Sequence, residues 1–289
     1  MGEGKIIFKV LVLIHEPPHS VRLQECGQFQ CFFTNDRAAR PHPSTRTVLF
    51  YGTDFKPYDA PVPRGKQEDW ALFHEESPKN NPIFAHQAMM GLLNHTATFR
   101  RSSDLPLVTQ YLVSLDSITD PGLLIPLSAK NRMVREGLAP VAYVQSGCDT
   151  PLGRDTWVAE FMKFVKVCAV QNYSIHFTVC VQVDSYGECL HNKPLSEDIR
   201  GSEKMDSKEY LNLLAKYKFV ISIENAVCED YVTEKLWRTL RVGAVPIYLG
   251  APNIEQYLPH PNSAILVKNF HNVSAVAAEV LTVHFIFFI

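Results

Sequence analysis

The chain has 289 residues, 46% of them hydrophobic and 20% charged, which is room for one large domain or two modest ones around an ordinary globular core. Its formal net charge of −2 comes with no basic run that would track a phosphate backbone, so a nucleic-acid-binding protein is excluded on charge. The sequence carries neither internal repeats nor low-complexity tracts.

In chain order, the first apolar stretch runs from Ile6 to Ile14 and is interrupted by Lys9. It is too short to span a bilayer, and no small-residue cleavage site follows, so it reads as a buried strand rather than a signal peptide. Ile6 also stands where N-myristoylation wants Ser or Thr. Cys26 and Cys31, in ECGQFQC, have the spacing of a small disulfide-closed loop; no CxxC pair or His partner supports a metal site instead. Further β-rich segments follow at Thr47–Tyr51 and Trp70–Phe73. A loop-rich, proline-bearing stretch from Arg100 to Pro140 is expected to cross between two domains, residues 1–130 and 131–289, with the boundary near 125–140. Beyond it, strands at Val141–Gln145, Phe219–Ile223, Val245–Leu249 and Ala264–Val267 alternate with helical patterns at Thr156–Val165, Ser207–Ala215 and Glu234–Val242. That alternation predicts an α/β fold with parallel sheets.

Residues 219–251 concentrate the chemistry. Phe219–Ile223 is a β-branched run of the kind buried in a parallel sheet, so Glu224 and Asn225 fall just past its carboxyl end, where open α/β sheets bind ligands. Thr233 is the expected N-cap of the next helix, with Glu234 and Lys235 in its first turn. Free N–H groups and the helix dipole favour a phosphate there, and Lys235 adds a full cation. Gly243 ends the helix before the next strand. A carboxylate and a lysine at a helix start are by themselves ordinary surface residues; what singles these out is their place after a buried strand, with Tyr231 close before. Three N-glycosylation acceptors, Asn94, Asn172 and Asn272, join the seven cysteines in pointing to an oxidising lumen. A lumenal protein is expected to carry a targeting signal, which the first residues do not show, so either the chain is truncated upstream or the lumenal expectation is wrong.

ENAVCEDYVTEKLWRTLRVGAVPIYLGAP, residues 224–252, resembles the signature of glycosyltransferase family 10, the α1,3-fucosyltransferases: Glu-Asn, then Asp-Tyr-x-Thr-Glu-Lys, then a small-residue step into Val-Pro and Gly. FYGTDF, HEESPKNN, NHTATFRRSSDLPL, YVQSGCD and VDSYGECL are similar to the divergent branch of that family, whose members are also regarded as protein O-fucosyltransferases. The resemblance runs from about Cys26 to Phe270. It implies a GT-B fold, two Rossmann-like domains facing across a cleft, with GDP-fucose as donor in the C-terminal one. It also implies an inverting transfer without a bound metal or other cofactor, in keeping with the lack of a DxD triplet. In that register Arg154 and Lys235 neutralise the diphosphate, and a guanidinium suits this because it forks onto phosphate oxygens. Asn225 and Tyr231 supply hydrogen bonds. Glu224 either holds the nucleotide or buttresses the site, and Glu234 faces the fucose, where a carboxylate stabilises positive charge growing on the ring. Glu76, before Ser-Pro, matches the carboxylate assigned as base; its neighbour Glu75 points to the opposite face if the segment is extended.

The acceptor implied by the branch is a serine or threonine hydroxyl on a folded, cysteine-rich lumenal domain; the wider family implies N-acetylglucosamine of an N-glycan on an acceptor glycoprotein. The expected location is the lumen of the endoplasmic reticulum, with the Golgi as alternative, and full-length relatives are single-pass type II membrane proteins whose anchor this chain does not contain. Two departures stand out. Residues 167–182, VCAVQNYSIHFTVCVQ, are extra to the family pattern and read either as a splicing artefact or as an added strand pair or loop. The end, VLTVHFIFFI, reads as an apolar tail without a partner. Both departures keep a second reading open, a truncated, non-catalytic protein that binds GDP-fucose or a client.

Overall fold

The computed structural model describes residues 8–14, 21–107, 114, 116–148, 150–165, 168–171, 177–180 and 182–287. Packing divides the chain into two compact units, Met1–Thr109 and Gln110–Ile289. Among the described residues no helix is long and apolar enough to cross a membrane.

The N-terminal unit is built on a seven-stranded sheet. Its strands are β1 (Phe8–Ile14), β2 (Val21–Cys26), β3 (Phe29–Thr34), β4 (Thr45–Tyr51), β5 (Asp69–His74), β6 (His95–Thr98) and β7 (Leu105–Pro106), with a short helix α1 (Gln87–Met90) before β6. The spatial order is β2-β3-β1-β4-β5-β6-β7, and every pair is parallel except the β2–β3 hairpin. Cys26 and Cys31 are joined by a disulfide within that hairpin, as their spacing predicts. Val48, Phe50, Trp70 and Leu72 alternate inward from β4 and β5 and pack on Phe55, Phe84 and Met89. Phe50 meets Trp70 edge to face, with ring centroids 5.4 Å apart.

The C-terminal unit begins with α2 (Asp116–Thr119) and α3 (Leu127–Arg135). The buried Lys130 of α3 ties this stretch to the unit, its Nζ donating to Tyr217 O (2.8 Å) and Gly243 O (2.9 Å). Then follow β8 (Val141–Gln145), α4 (Arg154–Phe164), β9 (Cys168–Gln171), β10 (Phe177–Cys180), β11 (Val183–Gly187), α5 (Lys208–Ala215), β12 (Phe219–Ile223), α6 (Glu234–Arg241), β13 (Val245–Leu249), β14 (Ile265–Leu266) and α7 (Val273–Ile286). Five strands form an all-parallel sheet in the order β11-β8-β12-β13-β14. The expected β8, β12 and β13 have the residue bounds read from the sequence, because strands largely buried on both faces read as unbroken apolar runs.

Helices cover both faces. Val141, Tyr143, Phe219, Ile221, Ile223 and Ile247 pack on Val158 and Phe161 of α4 and on Val273, Val276, Ala277 and Val280 of α7. Ala142 and Val220, the intervening positions, pack on Tyr210, Leu211, Leu214 and Ala215 of α5. Leu236, Trp237 and Leu240 of α6 close over Tyr248, Ile254 and Leu266.

Both departures acquire a place. Within the extra stretch, the described residues Cys168–Gln171 and Phe177–Cys180 form an antiparallel pair, β9 with β10, as a two-stranded sheet of their own. As far as Ile286 the apolar end is the last part of α7, with Val280 and His284 buried and Phe287 O accepting from Asn131 Nδ2 (2.9 Å), while Ile286 and Phe287 stay exposed. Its partners lie on α4 and α3, more than a hundred residues upstream, which is why local pattern does not show them.

Candidate active site

Leaving aside the β9–β10 pair, the strand order of the C-terminal sheet reverses between β8 and β12, the first and third strands. Such a switch point leaves a crevice at the carboxyl ends of the two strands, because their connections leave toward opposite faces. Here β12 pairs with β8 only at Phe219↔Val141 and Val220↔Ala142, so the ladder stops before the carboxyl ends. The chain leaving β8 leads to Arg154, and the chain leaving β12 begins with Glu224 and Asn225.

Thr233 caps α6, its hydroxyl accepting from the Lys235 N–H (3.5 Å). The helix is fastened to the sheet by buried hydroxyls: Ser222 Oγ donates to Lys235 O (3.0 Å) and lies 3.0 Å from Thr239 Oγ1, which itself donates to Lys235 O (2.8 Å). At its other end Gly243, at φ +61°, closes a double turn in which Ala244 N–H reaches Thr239 O (3.2 Å) and Gly243 N–H reaches Leu240 O (3.1 Å).

Glu224 is fully buried. Oε1 accepts from Thr233 N–H (2.8 Å), Oε2 accepts from Thr233 Oγ1 (2.7 Å), and Lys235 Nζ stands 3.7 Å from Oε2. Lys235 also donates to Glu234 Oε1 (2.9 Å) and to Thr233 Oγ1 (3.2 Å). Arg238 approaches Glu234 at 3.7 Å while its guanidinium forks onto Asp206, with Nε to Oδ1 at 2.9 Å and Nη2 to Oδ2 at 3.1 Å. Burial raises the Glu224 carboxyl above the usual range, with Lys235 and Thr233 opposing it. Burial acts the same way on Glu234, but there Lys235 and Arg238 win and the carboxyl sits below the usual range. Burial alone would lower Lys235; Glu224 and Glu234 carry it above the usual lysine value, so it is a firm cation.

Arg154 opens α4 and is 2% exposed. Nη2 donates to Gly147 O, while Nε and Nη1 are buried and have no hydrogen-bond partner among the described residues. Its charge acts to lower the Lys235 pKa, so the two cations are within electrostatic reach of each other. The loop holding Gly147 is anchored by a second disulfide, Cys148–Cys189, which bridges the ends of β8 and β11. The sulfurs of Cys148 and Cys189 and a carboxylate oxygen of Asp155 lie within 4.8 Å of one another, but bonded sulfurs offer no thiolate to a metal.

Tyr231 is 3% exposed, Asn225 is half-buried, and Gly250 presses so close that a Cβ there would lie 2.4 Å from Tyr248 Oη and 2.5 Å from Glu224 Cγ. Arg154, Glu224, Asn225, Tyr231, Glu234 and Lys235 are all carried by the C-terminal unit, on the segments that leave the carboxyl ends of β8 and β12. In the N-terminal unit, Glu75 and Glu76 follow β5 and are both half-buried. Glu75 Oε1 accepts from Tyr51 Oη (2.9 Å), which commits Glu75 to its own sheet. Of the glycosylation acceptors, Asn94 and Asn272 are exposed, Asn272 also capping α7 through Ala275 N–H (2.9 Å); Asn172 lies outside the described residues.

Sequence reasoning did not find the Thr233–Glu224 pair, the Cys148–Cys189 bridge or the Asp206–Arg238 fork. The bridge left no usable signal, because β11, the strand before Cys189, was not expected from the sequence; the fork joins residues 32 apart and leaves no local trace.

Two α/β units, the second with a parallel sheet whose switch point gathers two cations and a helix N-terminus, define a glycosyltransferase fold of the GT-B class. The chain belongs to glycosyltransferase family 10, the fucosyltransferases. The profile described as the C-terminal part of that family matches residues 138–284, and the fucosyltransferase N-terminal profile matches residues 8–111. Among curated proteins, GDP-fucose protein O-fucosyltransferase 3 of Danio rerio is 51% identical over 247 residues, 86% of this chain and 50% of that protein. The protein of the same name from Xenopus laevis is 47% identical over 259 residues, 90% of this chain and 52% of its own length. The chain thus spans about half the length of the curated relatives it matches. An α1,3-fucosyltransferase solved with GDP shares the fold, with a TM-score of 0.52 at 12% identity over 98% of this chain and 80% of that one.

Proposed function

We propose that this chain is the core of an inverting fucosyltransferase that takes fucose from GDP-fucose and transfers it to serine or threonine hydroxyls of folded, cysteine-rich protein domains. The observation that carries the reading is the pair of cations at the β8/β12 switch point. Arg154 has two guanidinium nitrogens without partners among the described residues, and Lys235 stands in the first turn of α6. A buried, unsatisfied guanidinium is costly unless something arrives to satisfy it, and a diphosphate does so in bidentate fashion. As the bond between fucose C1 and the phosphate oxygen breaks, negative charge grows on GDP, and Arg154 and Lys235 neutralise it with no need of a metal ion. Asn225 and Tyr231 contribute hydrogen bonds around the nucleotide, and Glu234, ionised beside Lys235, balances positive charge on the sugar ring. Glu224, its oxygens engaged by Thr233, is a positioning group rather than a nucleotide ligand. The acceptor hydroxyl attacks C1 from the face opposite GDP and gives its proton to Glu76, whose place before Ser-Pro matches the carboxylate that the family resemblance assigns as base.

The names of the relatives favour a protein acceptor over an N-glycan. The disulfides and the exposed sequon asparagines support a lumenal setting, with the endoplasmic reticulum ahead of the Golgi. The test is GDP-fucose turnover by the purified chain, with folded cysteine-rich domains and an N-glycan as separate acceptors. Fucose on the protein domains supports the proposal. Fucose on the glycan alone overturns the acceptor, and GDP binding without any transfer identifies a non-catalytic donor-binding protein.

A further inference from the structure

The connection from β12 to α6 contains a tight turn. Tyr231 N–H donates to Cys228 O (3.2 Å) and Val232 N–H donates to Asp230 O (3.0 Å). At its apex Asp230 has φ +66°, a left-handed conformation that short polar side chains tolerate and most L-residues avoid. It is held there by a reciprocal pair with Asn253: the Asp230 N–H donates to Asn253 Oδ1 (3.0 Å), and Asn253 Nδ2 donates to Asp230 Oδ1 (2.9 Å). The same Oδ1 accepts from Tyr257 Oη (2.8 Å). Asn253 and Tyr257 lie in the segment after β13, so the loop leaving β12 is fastened to the loop leaving its parallel neighbour.

What the turn delivers gives the clamp its meaning. Tyr231, the next residue, is driven into the interior, its carbonyl 3.5 Å from the Tyr248 hydroxyl, which also accepts from Ala251 N–H (3.1 Å). Two residues on, Thr233 docks on Glu224 and caps α6, and Lys235 follows. A turn with a left-handed apex does not hold itself in this form at no cost, so the three side-chain bonds are what keep Tyr231 and the helix start in place.

We infer that Asp230, Asn253 and Tyr257 are positioning residues of the donor site, a clamp that sets the 228–235 segment before the nucleotide arrives. The inference rests on the donor reading proposed above and adds how that site is preorganised. A preset loop spares the ordering cost on binding, so losing the clamp weakens nucleotide affinity and leaves the transfer step itself intact. The clamp acts on the ground state and the transition state alike, which places its effect in KM rather than kcat.

The experiment measures GDP binding by calorimetry and GDP-fucose turnover on the full chain and four variants. Asp230→Gly keeps access to positive φ but removes the carboxylate; Asp230→Asn keeps both the φ tolerance and an acceptor oxygen. Asn253→Ala removes the reciprocal pair, and Tyr257→Phe removes one oxygen without changing packing. The expected result is GDP affinity about tenfold weaker in Asp230→Gly and Asn253→Ala, a smaller loss in Tyr257→Phe, and near-full rescue in Asp230→Asn, with kcat preserved at saturating donor. A merely structural role would lower the melting temperature without this split. Wild-type binding that Asp230→Gly and Tyr257→Phe both match, or a loss confined to kcat, overturns the clamp alone. A wild-type chain that binds no GDP overturns the donor reading, and the clamp's role in it.

Discussion

Glu224 receives both donors of Thr233, the backbone N–H at 2.8 Å and the hydroxyl at 2.7 Å, so the carboxylate that ends β12 fixes the residue that starts α6. With Lys235 Nζ 3.7 Å away, a fully buried anion, a helix cap and a cation form one unit. Replacing Glu224 with Gln keeps the shape but removes the charge and turns one acceptor into a donor facing Thr233. Charge-assisted bonds of this kind carry about 1.5–3 kcal/mol each. Glu224→Gln is therefore expected to lose about 2 kcal/mol of stability, read as a shift in the urea midpoint, and to weaken GDP binding through displacement of α6.

Gly250 is a matter of space. The Cβ of an alanine would lie 2.4 Å from Tyr248 Oη and 2.5 Å from Glu224 Cγ, both buried and both engaged. Neither neighbour is a flexible chain end, so the backbone has to move. Gly250→Ala is expected to cost about 2 kcal/mol in chemical denaturation, within the range of overpacked cores. An unchanged midpoint would show that the loop after β13 yields freely.

Arg154→Lys and Glu76→Gln separate binding from chemistry. A lysine cannot reach Gly147 O and two phosphate oxygens together, so Arg154→Lys is expected to weaken GDP binding at least about tenfold. Glu76→Gln is expected to bind GDP like the parent chain and to transfer no fucose. Turnover retained in Glu76→Gln removes the base assignment, and Glu75 then becomes the residue to test.

Two lysines of the C-terminal unit give a pH signature. Burial pushes Lys130 down to about 8, and burial together with Arg135 and Lys130 pushes Lys218 down to about 8. Between that value and the ordinary lysine pKa of about 10.4, these lysines bind more protons in the unfolded chain than in the folded one, so their contribution to stability rises with pH across this window. Lys218→Met removes one such group. It is expected to stabilise the protein by about 1 kcal/mol at pH 8 and to flatten the rise between pH 8 and about 9.5, measured by urea denaturation at each pH.

The sequence carried much of this, unevenly. Val141–Gln145, Phe219–Ile223 and Val245–Leu249 are legible because burial on both faces makes each an unbroken apolar run. β11 is not: Val183–Gly187 has Asp184 and Gly187 in a buried edge strand, where Asp184 is taken up by Lys193 and Tyr217 and Gly187 makes room for Gln145 O. Glu224, Asn225, Tyr231, Glu234 and Lys235 were legible through a signature that keeps them close in sequence, whereas Arg154, 70 residues upstream, was reached only through the family register. Asn253, Tyr257 and Asp206 were not, since each acts from a different loop and only the fold brings it to its partner. The apolar C-terminal segment misled for the same reason, its partners on α4 and α3 lying far upstream.

The Cys148–Cys189 bond ties the biosynthetic history of the molecule to its ligand. It closes a span of 41 residues, a cross-link that removes about 4 kcal/mol of chain entropy from the unfolded state. It also holds the residue next to Gly147, whose carbonyl steadies Arg154. Material matured where thiols stay reduced is thus expected to melt earlier and to bind GDP more weakly at identical sequence. Recombinant batches that differ only in the oxidising capacity of the host would then differ in nucleotide affinity.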